Sequence, residues 1–137
     1  MGTQQLLLIV LGIIVVGTGV AVGIGIFGSN AEQAQRDAIT EHCLLIASAA
    51  QGYYGKPAML GGGENSFDSI EITDCGLSAS GDVTTGENID ATFVVEGSGS
   101  AFTVTGISKA EDGKSVVVNC DMTRTTDQRL SVSYANW

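Results

Sequence analysis

Basic residues are scarce in this chain: three Lys and three Arg stand against fifteen Asp and Glu, for a net charge of −9. Phosphate binding is driven by cationic side chains that release counterions, so nucleic acid is excluded as the main partner. The same balance repels anionic lipid. Histidine occurs once and cysteine three times. Cys43, Cys75 and Cys120 lie too far apart for a zinc site with short CxxC spacing, and no CxxCH pattern offers a haem attachment. The most informative gap is at the front, where no charge of either sign precedes Glu32.

Inside that gap, Leu6 to Phe27 reads LLLIVLGIIVVGTGVAVGIGIF. Roughly 20 apolar residues at ~1.5 Å rise cover the ~30 Å hydrocarbon core of a bilayer. A cleaved signal peptide is the rival reading. The missing basic n-region and a run longer than the usual ~7 to 15 residues favour a retained segment. The five-residue tip Met1 to Gln5 on one side and a net-acidic stretch of over a hundred residues on the other predict an N-in, C-out orientation. At 137 residues the chain has room for this anchor and one modest domain of about 85 residues. The expected organisation is a hydrophobic helix over 1–28, an amphipathic continuation over 29–56 and a head over 57–137.

The anchor changes character halfway. Leu6 to Val16 is rich in Leu, Ile and Val, whereas Gly17, Gly19, Gly23, Gly25 and Gly28 crowd the second half. In one reading, Gly12, Gly19 and Gly23 form a seam on one helix face that lets neighbouring backbones approach closely. In the other, residues 17–26 alternate small and larger side chains and form a locally unwound segment. Glycine weakens a helix by ~1 kcal/mol per residue. Unwound backbone is tolerated at membrane depth only where protein covers it.

From Ser29 or Asn30, positioned to cap a renewed turn, the pattern becomes amphipathic. Ile39, Cys43, Ile46, Ala50 and Tyr53 share one stripe, with Arg36, Asp37 and Glu41 opposite. Gly55 and Pro57 end the helix, and Gly61 to Gly63 read as a mobile loop. Alternating segments at Phe67 to Asp74, Ala91 to Glu96, Ala101 to Ser108, Ser115 to Asp121 and Arg129 to Tyr134 read as strands. Gly97-Ser98-Gly99 and Glu111-Asp112-Gly113-Lys114 are hairpin signals, so the last four strands form an antiparallel meander with one face on the helix. The predicted class is α+β: a long N-terminal hydrophobic helix packed on a C-terminal antiparallel sheet.

Little in the chain points to catalysis. His42 sits at the margin of the apolar stripe, as a packed or solvated histidine does. The stretch Asp82 to Asp90 offers Asp82, Glu87, Asn88 and Asp90 as calcium ligands but lacks the EF-hand order, so a solvated acidic loop is the plainer reading. The glycine trio is not followed by Gly-Lys-Ser/Thr and is no P-loop. Lys109, Lys114, Arg124 and Arg129 form either a small basic patch or ordinary sheet-edge charges. Outside the cytoplasm, a Cys75 to Cys120 disulfide is the expected pairing. Pairings to Cys43, or three buried small hydrophobes, are the alternatives. Tyr53, Tyr54 and Trp137 are either core and rim aromatics or candidate subunit contacts, where such residues are enriched. No cofactor or metal is expected, and no enzymatic activity.

An uncharged N-terminal helix that turns amphipathic and packs on an antiparallel sheet resembles the type IV pilins and pilin-like filament proteins. The opening MGTQQLLLIVLGIIVVG and the later RDAI and YYGKPAMLGGGENSF look like those of short pilin-like bacterial proteins that start directly at the apolar segment. A typical type IV pilin has a basic leader cut after glycine, then a glutamate that pairs with a neighbour's amino terminus. Here at most Met1-Gly2 stands in that place, and Gln4 and Gln5 are expected to supply neutral hydrogen bonds instead, avoiding a buried carboxylate.

The resemblance implies a subunit held in the inner membrane, passed to pilus assembly machinery and polymerised with copies of itself into an extracellular helical filament. Leu6, Leu7, Leu8, Ile9, Leu11, Gly12, Ile13, Ile14, Val16, Gly19, Gly23 and Phe27 would form the assembly helix, with Gln4, Gln5, Tyr53, Tyr54 and Trp137 as candidate contacts. The alternatives are a monomeric membrane-anchored domain that binds a ligand or partner at the cell surface, and a pseudopilin of a secretion system.

Overall fold

A computed structural model describes residues 2–110 and 113–137. It divides into two compact units, the second running from Arg36 to Trp137. One uninterrupted helix, α1 (Gly2–Gly55), supplies all of the described first unit and the start of the second. The glycine-rich residues 17–26 are therefore helical, not unwound. The Ser29 hydroxyl does not cap a new turn but donates back to the Ile26 carbonyl (3.3 Å), as the Thr18 hydroxyl does to Val15 (3.0 Å). Both bonds satisfy a hydroxyl within the helix's own surface.

The head is a six-stranded antiparallel meander of β1 (Ala79–Ser80), β2 (Asp82–Glu87), β3 (Ala91–Ser98), β4 (Ala101–Ser108), β5 (Ser115–Asp121) and β6 (Leu130–Ala135). Every strand pairs with the next in sequence. Alternation drives the layering: Phe93, Val95, Phe102, Val104, Val116 and Val118 point inward and are buried. Against that face lie Ile39, Cys43, Ile46, Ala47 and Ala50 of α1. Gly106 lies directly beneath the helix, where a Cβ would come within 2.7 Å of Ile39 and 2.8 Å of the Cys43 sulfur.

Four of the five expected strands appear close to their predicted bounds. The fifth does not, because Phe67 to Asp74 folds as a series of turns. Its polar groups bond locally: the Asp74 carboxylate accepts from the Glu71 amide (3.2 Å), and Ile70 and Cys75 amides donate to Phe67 and Ile72 carbonyls (3.2 and 3.1 Å). Phe67, Ile70 and Ile72 are nevertheless buried. Most of the Asp82 to Asp90 stretch, read as a loop, is strand β2. The β3–β4 turn is Gly99-Ser100 rather than Gly97 to Gly99. Gly97 is in β3, where a side chain would collide with Phe67 and Ile70. Of the second hairpin signal, Glu111 and Asp112 lie outside the described residues.

The glycine trio is not an open loop. Gly62 and Gly63 amides donate to Pro57 and Tyr53 carbonyls (3.2 and 2.9 Å), and Asn65 donates to Tyr54 (2.9 Å), so the segment caps the end of α1.

The Cys75 to Cys120 bond is not formed, and all three cysteines are buried free thiols. The sheet explains the separation. Cys75 follows Ile72, whose amide bonds to Val83 of β2, whereas Cys120 is on β5. Three strand spacings, about 14 Å, separate those strands, well beyond the ~7 Å that a disulfide spans between Cα atoms. Cys43 faces Gly106, which pairs with Val116, so Cys120 is four residues, or about 13 Å, further along β5.

Candidate assembly surface

Most of the first unit presents an apolar surface. From Leu6 to Phe27 the large apolar side chains are 49 % to 78 % exposed, because nothing in the unit covers them. Gln4 and Gln5 are exposed at the start of the same helix. A Cβ added at Gly12, Gly19 or Gly23 would meet nothing within 4 Å. The helix is long and apolar enough to cross a membrane, and lipid or other helices are the two environments that satisfy such a surface.

In the second unit, α1 has two faces. The buried stripe follows the expected spacing, with Ala47 added and Tyr53 half-buried. Arg36 does not lie opposite the stripe as its spacing predicts: its guanidinium stacks 5.0 Å above the Tyr134 ring. Away from the sheet, Leu44 and Leu45 are exposed beside Asp37, Thr40 and Glu41. Sequence reading missed this pair. The available signal was two adjacent leucines, of which Leu45 stands about half a turn from the Ile39 to Tyr53 stripe. A second uncovered apolar row is Leu130, Val132 and Tyr134 on β6, an edge strand exposed along its whole length.

The aromatic candidates are all engaged within the head. Tyr54 packs on Phe67 at 4.8 Å between ring centroids, and the Tyr53 hydroxyl donates to the Ser69 carbonyl (3.4 Å). The Trp137 indole donates to the Ser115 carbonyl (2.9 Å) beneath Lys114. The tyrosines sit at the end of α1 and Trp137 at the start of β5, so the structure does not bring them together.

The remaining candidates separate likewise. His42 lies 3.9 Å from Asp90 and edge-on to Phe93. Lys109 binds Glu87 (3.1 Å), and Arg124 binds Asp121 (3.3 Å). These cations do not form one patch. Among the described residues no group of three or more His, Cys, Asp or Glu is placed to hold a metal ion. Burial pushes the Cys75 thiol up to about 12, with Asp74 adding to the rise, so it stays protonated and unreactive at neutral pH.

Compared with protein-family models, curated proteins and solved structures, the chain matches none.

Proposed function

We propose that this protein is the structural subunit of an extracellular, type IV pilus-like filament, polymerised through its hydrophobic N-terminal helix after residence in the inner membrane. The observation that supports this most is the uncovered apolar surface of Leu6 to Phe27. In lipid that surface is already solvated. Outside lipid, only other copies of itself hide it, at ~1.5 to 3 kcal/mol gross per buried side chain, less ordering costs. Head-to-tail contacts that do not close give a helical polymer.

A monomeric anchored domain also accounts for the span. It does not account for Leu44 and Leu45, which are exposed beyond the ~20 residues a bilayer needs. A polymer with helices inside and acidic sheets outside gives that pair a covering.

The test is electron microscopy of material sheared from producing cells, with mass spectrometry of the subunit's N-terminus. Uniform thin filaments containing this chain are expected, and Ile14→Asp, at ~2.5 to 3.5 kcal/mol for a charge amid the apolar helix, abolishes them. Normal filaments from that variant, or protein found only in detergent-extracted membranes, would overturn the proposal.

A further inference from the structure

The outer face of the sheet, turned away from α1, carries a cleft of about 300 Å³ at the β4–β5–β6 end. The segment that connects β5 to β6 forms its wall with Arg124, Gln128 and Arg129, while Thr103, Asn119 and Ser131 form its floor. In a chain of net charge −9, two of the six cationic side chains converge here.

The hydrogen-bonding state of these groups determines what the cleft accepts. The Thr103 hydroxyl donates to Asn119 Oδ1 (2.8 Å), which fixes that amide with its NH₂ group as a donor. Arg129 Nε donates to the Arg124 carbonyl (3.3 Å), which anchors its guanidinium, and no carboxylate among the described residues pairs with it. Arg124 is held by Asp121 (3.3 Å), and Asp121 is in turn occupied by the Thr123 amide (3.0 Å) and hydroxyl (2.6 Å). Asp121 thus offsets one guanidinium and leaves the cleft with one net positive charge. The rest of the lining is the amide and hydroxyl side chains named above, together with Ala101, Phe102 and Cys120.

We propose that this cleft binds a single sugar-acid unit, a carboxylate carried on a ring of hydroxyls. The terminal nitrogens of Arg129 match a carboxylate in the two-pronged geometry that guanidinium favours. A single net charge suits a monoanion better than a phosphate dianion. Asn119, Gln128 and Ser131 supply amide and hydroxyl donors and acceptors for ring hydroxyls, and the volume is at the small end of ligand sites. The proposal does not depend on whether the protein forms filaments.

The test is calorimetric titration of the full chain in detergent micelles with D-glucuronate, against D-glucose and acetate. Saturable binding of glucuronate with a dissociation constant of about 1 mM or tighter is expected, with glucose and acetate at least about tenfold weaker. Arg129→Gln and Asn119→Asp each weaken glucuronate at least about tenfold. Asn119→Asp retains the acceptor for Thr103 while replacing the amide donor with a negative charge, so loss there with an unchanged circular dichroism spectrum reports the site and not the fold. No saturable heat, acetate binding as tight as glucuronate, or unchanged affinity in both variants overturns the assignment.

Discussion

At the scale of single residues, the head is most constrained where glycine lets two layers touch. At Gly106 the nearest atoms to an added Cβ are the Ile39 methyl, the Cys43 sulfur and, at 3.2 Å, the Phe93 ring. Gly106→Ala is therefore expected to destabilise the fold by about 1 to 3 kcal/mol through overpacking, measured by urea denaturation of the protein in micelles. Adding Cys43→Ala removes one of the clashing atoms, so the double variant is less destabilised than the two single costs added together. A second residue-level device is Asp68, whose carboxylate accepts from the Gly99 amide (2.7 Å) and the Ser66 hydroxyl (2.7 Å). These bonds hold its pKa below the ordinary Asp value, the Gly99 amide contributing most. A depressed folded-state pKa stabilises above the unfolded value of about 4 and loses that contribution as pH falls through the folded one. Thermal melting between pH 5 and 2 should show a steeper acid limb in the native protein than in Asp68→Asn, and equal limbs would remove Asp68 from the account.

Among the elements, α1 was legible from charge distribution and spacing on either side of residues 17–26, whose glycines left helix and unwound backbone both open, and four strands from alternation. The helix was readable because its apolar groups recur with one period in the head and without interruption before it. Phe67 to Asp74 misled because Phe67, Ile70 and Ile72 are buried at irregular spacing, and apolar content alone does not separate a buried turn from a strand. Strand β2 was hidden for the opposite reason, its Asp82, Gly86 and Glu87 being poor strand formers that pair because β3 presents a complete edge. The exposed apolar surface was visible as far as Phe27, whereas Leu44, Leu45 and the β6 row became visible only once the sheet showed which faces it leaves uncovered. The glycines of α1 give this scale its prediction. In a single chain Gly12, Gly19 and Gly23 have open space around them, so Ala at each leaves the fold unchanged and favours helix by up to about 1 kcal/mol. Replacing all three with Leu should preserve membrane insertion, followed by detergent extraction, yet reduce sheared filaments by at least about tenfold if helices pack along that face. Undiminished filaments would assign the packing to another face.

For the whole molecule, the absence of a covalent bridge means that the head's stability rests on its core alone. Melting temperatures with and without reductant should coincide, and alkylation under native conditions should label none of the three cysteines while denaturation exposes all three to reagent. A large drop in melting temperature on reduction would show that the isolated protein acquires a bond this structure lacks. One further consequence lies in the order of the sheet. Because every strand lies beside its sequence neighbour from β1 to β6, no hairpin waits for a distant part of the chain, and loop closure stays short at each step. A polypeptide wired this way acquires its sheet in the order in which it emerges from a ribosome or a translocation channel. β6, the final strand in that order, is exposed along its whole length and is pinned where the Trp137 indole reaches Ser115, so the sheet is left with an open edge there.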